Sequence, residues 1–220
     1  MKRESAIKGL YCITPDLGTK KRYADFVKSA CRAGADAVQF RFSGGMDNNT
    51  RVSIAKELKR ICRRHNVPFI INNDYMLALY TDASGIHLGR EDAKKMPVYV
   101  LRKIAGILGK KKFIIGISAN TLGEAREAAK EPADYIGFGP VFRSPTKPQL
   151  KPSGIKLLKK IAGKVKMPVV AIGGINKNNI GEIAESGARA AAVISAVSRS
   201  GDVGRSVKEM RSCFFSGGRR

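Results

Sequence analysis

The chain repeats one pattern along its length: a short apolar run, then a longer stretch in which apolar residues recur every three or four positions. The runs cover 9–14, 37–42, 68–72, 85–89, 113–118, 135–139, 169–173 and 190–195. A strand buried on both faces reads as such an unbroken run, because neither face meets water. Between the runs, Ala24, Val27, Ala30 and Cys31, and then Ile54, Leu58, Ile61 and Cys62, have the spacing of a helix with one apolar face. Strands separated by crossover helices build a parallel sheet. Eight such units without a composition break predict a single α/β domain over 1–220, a closed (β/α)8 TIM barrel, with a tail that frays from about Ser216. An open doubly wound sheet competes, but no Gly-x-Gly-x-x-Gly follows the first run and eight near-equal units favour closure. Gly34 and Gly187 end helical stretches and predict left-handed C-caps.

Composition sharpens this reading without changing it. With 220 residues, 43% of them hydrophobic and 27% charged, the chain has material for one large core. No apolar run approaches the roughly 18 residues of a membrane span, and no signal-peptide core follows Met1, so a cytoplasmic location with no membrane is expected. Cys12, Cys31, Cys62 and Cys213 are widely spaced, with no Cys-x-x-Cys pair, and predict buried reduced thiols rather than a zinc site. The net charge of +23 attracts any polyanion. Yet Lys56, Lys59, Arg60, Arg63 and Arg64, like Lys156, Lys159 and Lys160, sit at helical spacing and read as a solvated outer face. Aromatics are only 7% and none interleaves with a basic run, which disfavours nucleic acid as a partner. Phosphorylated small molecules are the expected partners, and a homo-oligomer stays open.

The candidate chemistry lies where the runs stop. Residues 135–147, 169–175 and 191–197 each end an apolar run in Gly, Ser or Thr, which brings bare backbone N–H groups to a strand end. In (β/α)8 barrels phosphate sites recur after strands 7 and 8, and the C-terminal strand ends share one mouth. That mouth is expected to gather Thr14, Gln39, Arg41, Asn72, Asn73, Asp74, His87, Asp92, Ser118, Asn120, Thr146, Lys147 and Ser195. Gln39 and Arg41 alternate on one strand face, and a buried arginine needs an anion: a substrate phosphate, or a salt bridge to Asp74 or Asp92. His87 reads either as a hydrogen-bonded core residue or as part of the site. Asp92 reads either as a hard oxygen ligand for Mg2+ or as a helix N-cap. The loop 143–148, with two prolines, two hydroxyls and two cations, is long enough to be functional.

Several motifs stand in a characteristic order: Tyr11-x-x-Thr14, Gln39-x-Arg41, Gly85-Ile-His-Leu-Gly-x-Glu-Asp92, Gly116-Ile-Ser118, Tyr135-Ile-Gly-x-Gly-Pro-Val-Phe142 with Thr146-Lys147, Ala171-Ile-Gly-Gly-Ile175 and Val193-Ile-Ser-Ala196. From about Gly9 to Val197 the chain resembles the thiamine phosphate synthase family. The resemblance implies a Mg2+-dependent transferase on a TIM barrel. It would join 4-amino-2-methyl-5-hydroxymethylpyrimidine pyrophosphate to thiazole phosphate, giving thiamine phosphate and pyrophosphate. It further implies that Gln39, Arg41, Asn72, Ser118 and Lys147 bind the pyrimidine pyrophosphate, with His87 in the same pocket and Ser43 at the position of a family lysine. Ser144, Thr146, Gly174, Ile194 and Ser195 would bind the thiazole phosphate. Arg41, Lys147, Ser118 and His87 would carry catalysis, and Asn73 with Asp92 would hold the metal. The implied reaction ionises the pyrophosphate and captures the pyrimidine cation with the thiazole nitrogen, without a protein nucleophile.

Three departures stand out. Ser43 replaces the lysine of Gln-x-Arg-x-Lys, Asn73 replaces an acidic metal ligand, and Arg90 stands where a glutamine is common. The alternatives are a thiazole tautomerase-like enzyme, whose histidine after the fifth strand is Asn120 here, and a non-catalytic barrel that binds thiamine phosphates. An amide cannot act as the general base that the tautomerase needs.

Overall fold

The computed structural model describes residues 7–42, 44–144 and 149–218. The first half comprises β1 (Gly9–Ile13), α1 (Lys20–Arg32), β2 (Ala37–Phe40), α2 (Asn48–Arg64), β3 (Phe69–Asn72), α3 (Tyr75–Tyr80), β4 (Gly85–Leu88), α4 (Arg90–Lys95) and α5 (Val98–Ile107). The second half continues with β5 (Ile114–Ala119), α6 (Leu122–Ala128), β6 (Tyr135–Phe138), α7 (Gly154–Lys164), β7 (Val169–Ile172), α8 (Ile180–Glu185), β8 (Ala190–Val193), α9 (Ser195–Ser198) and α10 (Val203–Gly217). The strands pair in parallel and in sequence order, and β8 closes on β1 through Gly9↔Ala190 to Cys12↔Val193. The chain is therefore the (β/α)8 barrel that its periodicity predicts.

Alternation within each strand divides the core into two layers. Leu10, Cys12, Val38, Phe40, Ile71 and Ile86 point outward into the large cluster beneath the helices. Tyr11, Ile13, Ala37, Ile70, Ile114, Tyr135, Val170, Ala190 and Ala192 fill the barrel interior. Every residue of β1, β2, β6 and β8 is buried, as two covered faces require. At the N-terminal end, Asp36 accepts from Leu10 N at 2.9 Å and from Arg211 at 3.0 Å. Asp134 likewise accepts from Ile115 N at 2.7 Å and from Arg102 at 2.6 Å. These carboxylates fasten the end of the barrel opposite the mouth, where such groups serve stability.

Gly34 and Gly187 have φ of 92° and 84°, the left-handed caps expected after α1 and α8. α10 extends through Ser216 to Gly217, with Val207, Met210 and Phe214 buried in the core. One expectation changes. Cys213 is exposed while Cys12, Cys31 and Cys62 are buried, because position 213 lies off the face of α10 that buries Val207, Met210 and Phe214. Among the described residues no helix is long and apolar enough to cross a membrane.

Candidate functional site

Several strands are shorter than the apolar runs, so Thr14 and Arg41 lie just past the sheet, whereas Asn72, His87 and Ser118 lie within β3, β4 and β5. Thr14 is fully buried and clamps the residue beyond β2, donating to Arg41 O and accepting from Arg41 N, both at 3.0 Å. This fixes the backbone of Arg41 at the mouth. Its side chain is half-buried, and among the described residues its guanidinium makes no ion pair. The salt bridge to Asp74 is excluded: that carboxylate caps α3 through Leu77 N at 2.9 Å and pairs with Arg51 at 3.3 Å.

His87 is the penultimate residue of β4 and faces Gly116 of β5 in register, with Asn72 of β3 on its other side. Its Nε2 lies 2.9 Å from Ser118 Oγ and its Nδ1 lies 3.1 Å from Tyr135 Oη. Tyr135 Oη is 3.2 Å from Tyr11 Oη, which accepts from Gln39 Nε2 at 2.9 Å. Gln39 is only 3% exposed, so its amide nitrogen is turned into the barrel toward Tyr11. Burial pushes both phenols well above the ordinary tyrosine range and keeps them protonated. Two glycines make the space: a Cβ at Gly116 would lie 2.1 Å from Tyr135 Cζ, and one at Gly137 would lie 2.7 Å from His87 Cε1. Gly116→Ala is therefore expected to destabilise the protein by about 1–3 kcal/mol through overpacking, read as a lowered denaturant midpoint.

Asn73 follows β3 with φ of 64°, a left-handed conformation that asparagine tolerates. This turn directs its Oδ1 to Gly89 N at 2.8 Å, at the start of α4. Asp92 in the first turn of α4 comes to the same place: a Cβ at Gly89 would lie 3.1 Å from Asp92 Oδ2 and 3.5 Å from Asn73 Oδ1. The structure thus brings together two hard oxygens, one with charge and one without. Gly89, not Asp92, is the N-cap of α4. Arg90 pairs with Glu124 of α6 and so does not add a free cation here.

At the other side of the mouth, β7 and β8 end side by side, with Ile172 opposite Ala192. Gly173 and Gly174 follow with φ of 100° and 66°. Only glycine fits at 174, where a Cβ would lie 2.4 Å from Arg143 O. The loop after β6 is thereby seated on Gly174, next to buried Ser144. Among the described residues the N–H groups of Gly174 and Ser195 donate to no protein acceptor. Ile194 bends the chain from β8 into α9 and presents Ser195 at its start. Ser43, Thr146 and Lys147 lie outside the described residues. Asn120 follows β5 directly, and its Nδ2 donates to Gly139 O at 2.5 Å, holding the β6 end rather than offering a base.

Sequence reasoning missed two parts of this arrangement. Tyr11 and Tyr135 stand in the sequence motifs without a role of their own, and only the glycine at 116 opposite Tyr135 hints that a bulky side chain crosses the barrel. Arg51 is not singled out by the sequence. It packs over Phe42, 5.2 Å from the ring centroid, with its Nε buried and unpaired among the described residues. A cleft of about 820 Å3 opens at the opposite end of the barrel, among Lys59, Arg63, Lys110 and Asp82. It lies away from the strand C-termini, where active sites of such barrels form.

An eight-stranded parallel barrel with a guanidinium just past β2, an imidazole on β4, a hydroxyl on β5 and glycine-rich turns after β7 has its polar groups at the C-terminal mouth, where (β/α)8 enzymes form their sites. Residues 10–197 match the family model described as thiamine monophosphate synthase. The chain is 37% identical over 206 residues to a thiamine-phosphate synthase of Thiobacillus denitrificans, covering 94% of each. It is 39% identical over 196 residues to a thiamine biosynthesis bifunctional protein of Geobacter sulfurreducens, covering 89% of this chain and 38% of that longer protein. The solved thiamine phosphate pyrophosphorylase of Pyrococcus furiosus superposes with a TM-score of 0.83 at 36% identity, over 97% of this chain and 98% of that one. A GGGPS from Thermoplasma volcanium, with a TM-score of 0.70 at 15% identity, shares the fold alone. The chain belongs to the thiamine monophosphate synthase family.

Proposed function

We propose that the mouth binds pyrimidine pyrophosphate against β2 to β5 and thiazole phosphate against β7 and β8. The chain is a thiamine-phosphate synthase, a transferase. The observation that carries the reading is Arg41: a half-buried guanidinium without an anionic partner among the described residues, held by Thr14 at the strand end where substrate phosphate would sit. Arg41 and Lys147 hold the pyrophosphate and offset the charge that grows on it as the carbon–oxygen bond breaks. Asn72, Ser118 and His87 line the same side, and Ser118 offers a hydroxyl to the departing oxygen. Ser144, Thr146, Ile194 and the N–H groups of Gly174 and Ser195 hold the thiazole phosphate, so that the ring nitrogen faces the pyrimidine carbon.

Asn73 and Asp92 fit Mg2+, because their oxygens converge at Gly89 and a magnesium site is ordinarily completed by substrate phosphate and water. When bound there, Mg2+ supplies charge neutralisation to the pyrophosphate. Arg51 supports the same side in place of the missing lysine at Ser43, although it shares its charge with Asp74. The site takes phosphorylated small molecules rather than nucleic acid, and we place the enzyme in the cytoplasm. Asn120, held on Gly139 O, favours synthesis over tautomerisation.

Incubating the chain with both substrates and Mg2+ should yield thiamine phosphate. Absence of product with folded protein would refute the synthase reading. Inorganic phosphate or thiazole phosphate should bind at Gly174 and Ser195 whether or not turnover occurs. Gly174→Ala, strained at its positive φ, should weaken that binding by on the order of tenfold by calorimetry.

A further inference from the structure

Five side chains from five strands form one hydrogen-bonded line across the barrel: Gln39 on β2, Tyr11 on β1, Tyr135 on β6, His87 on β4 and Ser118 on β5. Its four links measure 2.9, 3.2, 3.1 and 2.9 Å. The Gln39 end is buried, whereas Ser118 is half-buried at the C-terminal end of its strand. Each hydroxyl carries one proton and a neutral imidazole carries one N–H, so a direction imposed at one end propagates to the other. The imposed end is Gln39, because an amide nitrogen only donates. Tyr11 receives that proton and passes its own to Tyr135, which passes its own to His87 Nδ1. The imidazole then carries its proton on Nε2 and gives it to Ser118 Oγ. The Ser118 proton is left to point into the mouth. A charged imidazole breaks the order: Nδ1 would donate to Tyr135, Tyr135 to Tyr11, and the Tyr11 proton would have no acceptor in the line.

We infer that Gln39, acting through Tyr11, Tyr135 and His87, is a positioning residue that aims the Ser118 hydroxyl proton at the departing pyrophosphate oxygen. This rests on the synthase reading for the identity of the acceptor. The polarity of the line follows from the Gln39 amide nitrogen facing Tyr11. Gln39 on this account also works from inside the barrel, through Tyr11.

The test uses the two histidines of the chain. His65 is exposed at the end of α2, so a 15N long-range correlation spectrum of the His65→Gln variant reports His87 by itself. The expected result at neutral pH is a neutral ring protonated on Nε2. Gln39→Glu exchanges the amide donor for a carboxylate acceptor, which reverses the line, moves the proton to Nδ1 and turns the Ser118 hydroxyl back onto His87. Its kcat should fall on the order of a hundredfold, the scale for loss of one donor to a developing oxyanion, with KM little changed. Tyr135→Phe, which cuts the line without adding charge, should give a mixture of tautomers and a fall in kcat, and serves if the glutamate variant does not fold. A wild-type ring protonated on Nδ1 or on both nitrogens overturns the inference, as does an Nε2 tautomer unchanged in both folded variants. Wild-type protein that forms no thiamine phosphate overturns the leaving-group assignment together with the synthase reading, while the tautomer spectra still decide the polarity.

Discussion

Alanine in place of Arg41 is expected to lower thiamine phosphate synthesis by roughly 10²-fold or more while the barrel stays folded. The guanidinium sits past β2 and belongs to no ion pair among the described residues, so its removal uncouples nothing in the core. Its anchoring is in the backbone, through Thr14, and survives truncation of the side chain. What is lost is charge aimed at a leaving pyrophosphate, and a single such contact commonly supplies this factor. Lys147→Ala should act on the same scale, because on the proposed reading it removes a second cation from the pyrophosphate. Steady-state kinetics beside thermal unfolding curves check both. Wild-type turnover in both folded variants would sink the assignment of roles.

The second large effect runs upward. Asn73→Asp combined with Ser43→Lys should raise synthesis and tighten the apparent Mg2+ requirement. Asn73 already places an oxygen beside Asp92 by virtue of its left-handed turn, and aspartate tolerates that conformation nearly as well. The change therefore adds a carboxylate at a position already built for oxygen, still able to accept from Gly89 N. A lysine at 43 adds a cation for the same pyrophosphate. The two changes act on one anion, so a coupling of about 1 kcal/mol, roughly fivefold in rate, is expected in the double-mutant cycle. If folded double-mutant protein is slower than wild type, the site has been rebuilt around other groups. Arg51 then becomes the first to replace, since Asp74 is engaged by it and Arg90 by Glu124.

Much of this architecture was legible in the residues. Each apolar run became a strand or the greater part of one, because burial on both faces leaves a pattern that needs no knowledge of neighbours. The glycines after the seventh run read as backbone donors, and at the end of β7 the Gly174 N–H has no acceptor among the described residues. The roles of Asp74, Arg90 and Arg51 were not legible. Each is a charged residue near a strand end, and its use depends on which opposite charge the folded loops bring within reach. Asp74 meets Arg51 from 23 residues away, and Arg90 meets Glu124 from 34.

By itself the sequence determined the barrel, since period and run length are local properties that any stretch of chain carries. Tertiary structure alone decided which polar groups touch. Gln39 and Tyr11 are 28 residues apart and Tyr11 and Tyr135 are 124 apart, yet they join one line because closure sets β1 between β2 and β8 and the interior is narrow enough for tyrosines from β1 and β6 to meet. The pairing of β3 with β4 set Asn73 beside Asp92. A hydrogen bond depends on tenths of an ångström and on direction, and those are set by register and curvature around the whole barrel.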